Sequence, residues 1–230
     1  MRFSLVAFGL LALAMTSPAP AQTPPAPPPG PAHVVNYMEF ADDHVARGAA
    51  LLTAYRDQTL REAGVSQVGA FAEIGQPHRF ALLEIWADAA AQSAHAKDRG
   101  EAPQADWMKQ GALAPADVRM HRGWHVGEAK APSPNAVFAI THVDVPPPRL
   151  AELEAIMKPL AEKSRSESGF LRFDILQSWT RPNHFTFVEG WASEAAAQAH
   201  ATAAHTREFR DKLHPLLGAL YDQRMYRLLP

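Results

Sequence analysis

The chain is written twice. Residues 80–87 read Phe80-Ala-Leu-Leu-Glu84-Ile-Trp86-Ala, and residues 185–192 read Phe185-Thr-Phe-Val-Glu189-Gly-Trp191-Ala. The step between them is 189 − 84 = 105 positions. The same step pairs Gly64 with Gly169, Pro77 with Pro182, His95 with His200 and Arg122 with Arg227, and no gap is needed from Val34 to Arg122. Identities are a minority overall and concentrate between Pro77 and Ala96. Shared alanine richness explains paired alanines. It does not explain glycine, proline and tryptophan kept in register, so the chain is a tandem duplication of one structural unit.

The unit can be drawn from its periodicity. His33 to Phe40 and Ala136 to Val145 are β-rich runs that open the two copies. A helix follows. In the second copy Leu150, Leu153, Ile156, Met157 and Leu160 recur at three- and four-residue steps and make one apolar stripe, with Pro159 expected to kink it. Gly64 and Gly169 stand where a helix must give way to a strand. Val65 to Ile74 and Phe170 to Trp179 read as second strands. Gln76-Pro77-His78 and Arg181-Pro182-Asn183 read as turns, and the Phe-x-x-x-Glu-x-Trp strands come next. Alanine-rich helices over Asp88 to Asp98 and Ser193 to Ala203, a further helical stretch, and last strands over Val118 to Val126 and Tyr221 to Leu229 complete a βαββαβ order. That is the ferredoxin-like plan. A four-stranded sheet with helices on one side leaves its other face bare. Two copies solve this within one chain, so the expected class is α+β: two ferredoxin-like repeats packed sheet to sheet as a pseudo-dimeric α+β barrel.

Strand parity then sorts side chains. Phe185, Phe187, Glu189 and Trp191 share one face, and Thr186, Val188 and Gly190 the other. In the first copy Phe80, Leu82, Glu84 and Trp86 oppose Ala81, Leu83 and Ile85. The small aliphatic face is expected to pack against helices and the aromatic face to line a cavity between the sheets. A carboxylate in such a place must be hydrogen-bonded or raised in pKa.

The ends and composition bound the rest. Arg2, an apolar run from Leu5 to Met15 and Ala19-Pro20-Ala21 have the layout of a secretory signal, with cleavage expected after Ala21. The apolar run is too short to span a bilayer, so no stable membrane span is expected once the signal is removed. The chain therefore divides into a signal segment 1–21, a proline-rich linker 22–32, a first repeat 33–127, a linker 128–134 and a second repeat 135–230, with a periplasmic or secreted destination. A formal net charge of -2 provides no basic excess for a phosphate backbone, so nucleic acid is not an expected partner. The chain has 0 cysteines, which removes disulfides, thiolate nucleophiles and zinc–thiolate or iron–sulfur sites. No metal site is expected either: His121 and His125 flank Trp124 on a strand, and His200 and His205 would splay apart on one helix.

The second copy resembles the antibiotic biosynthesis monooxygenase family of the dimeric α+β barrel superfamily. The resemblance is carried by Glu167-Ser-Gly169-Phe-Leu-Arg-Phe-Asp-Ile-Leu-Gln177, by Asn183-His-Phe-Thr-Phe-Val-Glu189-Gly-Trp191, and by the following helix with His200 and then His205. The first copy matches at Gly64, Glu84, Trp86 and His95 but departs after Gly64, where Ser66 and Gln67 replace Leu171 and Arg172. The resemblance implies oxidation of a hydrophobic phenol or quinol by molecular oxygen without metal, flavin or other cofactor. It also implies a small aromatic molecule as partner, in a monomeric pseudo-dimer or a homo-oligomer. Such a site needs apolar walls, a proton acceptor and donors for the resulting anion. Phe80, Trp86, Phe185, Phe187 and Trp191 are the candidate walls, and His142 or Glu189 the candidate base. Asn36, Tyr37 and Arg172 are candidate donors, and Glu84, His95 and His200 further substrate contacts. Tyr37 and His142 are 105 positions apart and should occupy equivalent points of the two sheets. The alternative reading is a non-catalytic binder of an apolar ligand, or a barrel that is simply filled.

Overall fold

A computed structural model describes residues 26–100 and 111–230. The expected signal, the start of the proline-rich linker and most of the first copy's later helical stretch lie outside the described residues. The first repeat contains β1 (Ala32–Glu39), α1 (Val45–Thr59), β2 (Val65–Glu73), β3 (Arg79–Trp86), α2 (Ala89–Gly100) and β4 (Asp117–His125). The second contains β5 (Val137–Asp144), α3 (Leu150–Ser164), β6 (Phe170–Ser178) and β7 (His184–Trp191). It then has two short helices, α4 (Glu194–Thr202) and α5 (Ala204–Leu213), before β8 (Asp222–Leu228). The α3 helix runs through Pro159 as one element. Its expected stripe is used: Leu153, Met157 and Leu160 are buried, with Leu150 and Ile156 packed against the same cluster.

The eight strands form one closed barrel in the order β1-β3-β2-β8-β5-β7-β6-β4, with β4 returning to β1. Every pairing is antiparallel. Within each repeat the first strand lies beside the third, Asn36 opposite Leu82 and Thr141 opposite Phe187. The two sheets meet edge to edge. The β2 edge pairs with β8 from Phe71–Leu228 to Glu73–Tyr226, and β4 pairs with β6 around His121–Ser178. Each repeat therefore satisfies the other's exposed strand edges, and helices cover the outside of the barrel.

The parity grouping of the side chains holds, but the two faces are the reverse of the sequence expectation. The barrel interior is an all-strand cluster that includes Val35, Tyr37, Leu83, Phe138, Ile140 and Val188. Phe185, Phe187 and Trp191 instead pack under the helices with Leu153, Met157, Phe209 and Leu213. Phe80 and Leu82 pack with Leu52 of α1, and Trp86 lies with Ala91 of α2. The reason is room. An eight-stranded barrel is only wide enough for its side chains to fill. The bore already holds Tyr37, Phe71, Phe138 and Tyr226, so β7 can add only small groups such as Val188 and Gly190 there, and its Phe and Trp ladder takes the space between sheet and helix. Gly190 shows the tightness: a Cβ there would come 3.0 Å from the Phe138 ring and 3.2 Å from Arg172 Cβ.

Gly64 and Gly169 have a common structural cause. Both have positive φ, 84° and 79°. Their carbonyls accept hydrogen bonds from Ala87 N and Ala192 N, tying the entry of the second strand to the exit of the third. A Cβ would also strike the following helix, 2.8 Å from Ala91 Cβ and 2.6 Å from Ala196 Cβ. Gly169→Ala is expected to cost more than about 1–3 kcal/mol, because a clash adds to the left-handed strain. Gly75→Ala, with φ 81° and no atom within 4 Å of its Cβ, carries the strain alone. Denaturant unfolding of the two variants beside the wild type checks the order.

Candidate functional site

A cavity of about 590 Å³ opens between the outer face of the second sheet and α4–α5. Its floor comes from β5, β7 and β8 through Val137, Ala139, Glu189, Trp191, Gln223 and Met225. Its roof includes Ala197, His200 and Ala201 of α4 and Arg210 of α5, and Ile74 closes one side from the first repeat. Glu189 and Trp191 point here because β7 alternates: the same parity that puts Val188 into the barrel puts its neighbours under the helices.

Glu189 is 3% exposed. Its Oε2 accepts from Trp191 Nε1 at 3.3 Å and lies 3.3 Å from His200 Nε2. Burial pushes this carboxyl up, while the neighbouring His200 and the Trp191 N–H pull it back. The other His200 nitrogen, Nδ1, is 2.7 Å from Glu167 Oε1, and the ring stacks on Trp191 with centroids 4.4 Å apart. Tyr221 packs against the second repeat's core, where burial and nearby Glu189 raise its hydroxyl to about 12, with Arg210 opposing the rise.

The first repeat keeps the same constellation in altered form. His95 Nδ1 is 2.6 Å from Glu62 Oε2, and Trp86 Nε1 donates to Glu84 Oε2 at 2.8 Å. Here Tyr55 intervenes, donating to Glu84 Oε1 at 2.7 Å and meeting His95 Nε2 at 2.6 Å. A smaller cavity of about 440 Å³ lies beside Glu62, Trp86 and His95. Glu62 and Glu167 were missed in the sequence although they are themselves 105 positions apart. That step was the available signal. Arg210, Gln223 and Met225 carried no such signal, because only the closed tertiary structure brings α5 and β8 to β7.

Three further candidates, Tyr37, His142 and Arg172, lie inside the barrel, on the opposite face of the sheets from Glu189. Tyr37 and His142 do occupy equivalent strand positions, and they touch: Tyr37 Oη is 2.7 Å from His142 Nε2. His142 Nδ1 is 3.0 Å from Thr186 Oγ1, which is 2.8 Å from His121 Nε2, making a hydrogen-bonded chain across the bore. Arg172 donates to Asp174 at 2.5 Å and to Gln67 at 2.9 Å. Asn36 has the parity opposite to Tyr37 and faces the helix side of the first repeat. The expected single site thus separates into two groups. His142, Tyr37 and Arg172 are not neighbours of Glu189, since adjacent parities of one sheet cannot reach the same space. Phe80, Phe185 and Phe187 are core residues beneath helices and line neither described cavity. Trp191, Glu189 and His200 are brought together, as are Trp86, Glu84 and His95.

The model of the family described as antibiotic biosynthesis monooxygenase matches residues 31–100 and 136–212, one match per repeat and together more than half of the chain. The protein belongs to this family. An uncharacterized protein of Synechocystis sp. is 29% identical over 87 residues, 38% of this chain and 59% of the relative, so the match spans under two thirds of that protein. Among solved structures, a proposed monooxygenase of Fusobacterium nucleatum superposes with a TM-score of 0.76 at 18% identity, covering 87% of this chain and 93% of the other. A proposed monooxygenase of Lactobacillus acidophilus gives 0.71 at 15% identity, covering 88% and 95%. An anthrone oxidase-like protein gives 0.69 at 12%, covering 88% and 92%. At these identities the likeness is one of fold, and its coverage shows that the whole two-repeat barrel is shared.

The interior histidines of this family member make an acid-sensitive core. Burial lowers His142 to about 2, with Arg119 adding to it, His121 to about 3, and His33 to about 4 with help from Arg172. As pH falls below 6.5 the unfolded chain protonates these imidazoles and the native barrel does not. Stability is therefore present above pH 6.5 and declines towards pH 4, by up to about 1.4 kcal/mol per pH unit for each histidine. Glu189 and Glu73, raised rather than lowered, act in the opposite sense, but His125 and His184 are lowered with the three interior histidines, so the destabilisation in acid prevails. Unfolding free energies at pH 7 and pH 5 should differ accordingly, and His142→Gln should make the slope shallower by about one proton.

Proposed function

We propose that this protein is an exported, cofactor-independent monooxygenase that oxidises a hydrophobic phenol or quinol with O2 in the second-repeat cavity. The carrying observation is the buried Glu189–His200 pair set among apolar walls, with Arg210 on the same cavity. Family membership supports the reaction class. Glu189 is the group that takes the phenolic proton, held in place by His200 and Trp191. Arg210 faces the phenolate, and Val137, Ala139, Met225 and Ile74 receive the ring system. The deprotonated substrate then supplies its own electrons. For a polycyclic phenol reacting through its keto form, CH2 + O2 gives C=O + H2O: one oxygen atom enters the carbon, and the other leaves as water with its two hydrogens.

Closure of the barrel within one chain supports a monomer as the working unit. Among the described residues no helix is long and apolar enough to cross a membrane. The signal-like N-terminus supports export, and the exported protein should begin at Gln22 on N-terminal sequencing.

The catalytic reading is tested by oxygen uptake with a panel of naphthols, anthrones and quinols, using flavin-free, chelator-treated protein. Glu189→Gln should lower kcat by about 10²-fold or more, while Glu84→Gln, in the other repeat, should leave it near wild type. Absence of uptake with every substrate would overturn the proposal. Binding of the same compounds without turnover would favour a non-catalytic ligand carrier.

A further inference from the structure

Glu167, His200 and His205 converge at the outer corner of the second repeat. Glu167 lies in the turn between α3 and β6, His200 near the end of α4 and His205 in the first turn of α5. Five residues apart on one helix, the two histidines would diverge. Instead the chain breaks at Ala203, whose backbone is extended with φ -62° and ψ 147°, and His205 turns back towards His200. Glu167 Oε1 is 2.7 Å from His200 Nδ1 and 2.8 Å from His205 Nε2. The three ligand atoms all lie within 4.8 Å of one another.

We propose that Glu167, His200 and His205 bind a divalent transition-metal ion of the zinc type, with water completing the coordination. Two imidazole nitrogens and one carboxylate oxygen are the donor set such ions take when a position is left open. Bonds of about 2.0–2.1 Å at a tetrahedral angle hold ligand atoms about 3.3 Å apart. The two N–O separations therefore need to open by about half an ångström. Glu167 stands in a turn and can supply that movement.

The surroundings of His200 favour the same assignment. With Nδ1 on an ion, Nε2 keeps its proton and donates it to Glu189, 3.3 Å away. A carboxylate behind a ligating histidine sets both the tautomer and the ring orientation. Trp191, stacked on the imidazole, holds the ring plane. The side chains of Glu167 and His205 are 17% and 18% exposed against 5% for His200, so the ion has an entry and its water a place. Thr206 Oγ1, 3.4 Å from His200 Nδ1, is a further polar neighbour.

The first repeat is an internal comparison. Glu62 and His95 reproduce two of the three ligands at 2.6 Å, but α2 runs unbroken to Gly100, the residue 105 positions before His205. Among the described residues, one end of the molecule thus has three such ligands and the other two. An ion would tie the α4–α5 corner to the start of β6 and couple its occupancy to the orientation of Glu189 in the cavity.

The test uses the full, untagged, chelator-treated chain, titrated with Zn2+ by calorimetry and with Co2+ by visible absorption. One ion per chain is expected, with a cobalt ligand-field band. His205→Ala and Glu167→Gln should each weaken binding by at least about 100-fold, since even loss of an outer partner to a ligand costs 10–100-fold. Glu62→Gln should leave affinity and stoichiometry unchanged. Circular dichroism of each variant separates lost binding from lost fold. The proposal is overturned if the folded wild type shows no saturable binding of one ion, or if binding persists unchanged in both His205→Ala and Glu167→Gln. Neither readout uses oxygen consumption, so this result stands or falls apart from the catalytic reading.

Discussion

Everything in this molecule depends on two edge pairings, β2 with β8 and β4 with β6. A four-stranded sheet ends in rows of unpaired backbone N–H and C=O groups, and its uncovered face is apolar. Both are liabilities in water. Joining the repeats edge to edge removes all of these at once. The edges become ladder hydrogen bonds, and the bare faces become the wall of a bore that their own side chains fill. Because both repeats are on one chain, closure is intramolecular and needs no second subunit.

Closure also decides where chemistry can occur. A bore of eight strands is consumed by packing, with Phe138 against Gly190 and the Tyr37–His142–Thr186–His121 chain spanning it. Open volume is left on the other side of the sheets, beneath the helices. There the mid-strand glutamates meet the helix histidines. The buried polar groups inside the barrel are therefore concerned mainly with holding it together, and the groups outside it are the ones a small molecule can reach.

Duplication kept the Glu–His–Glu–Trp arrangement and let its surroundings drift. Tyr55 in the first repeat corresponds, 105 positions on, to Leu160 in the second. With tyrosine present, its hydroxyl lies between Glu84 and His95. With leucine there, Glu189 faces His200 directly. The break at Ala203 brings His205 and Arg210 to the second repeat's corner and cavity, so the two halves of a symmetric barrel carry unlike sites.

The duplication, the βαββαβ order, the strand and helix positions and the separation of strand residues into two faces were legible in the sequence. Each depends on local periodicity or on the 105-residue step, and both survive in one dimension. Which face looked inwards was not legible. Parity states that Phe187 and Val188 part company, but only the bore of the closed barrel decides which of them fits inside. For the same reason His142, Tyr37 and Arg172 could not be separated from Glu189 by inspection: adjacent strand positions are close in sequence and on opposite sides of a wall in space. The meeting of Glu167 with His200 and His205 lay further still from view, because it depends on a helix break that turns two histidines from diverging to converging. Sequence by itself determined the repeat and its elements, which follow from local pattern; tertiary closure alone decided inside from outside, because only a closed barrel has an inside of limited size.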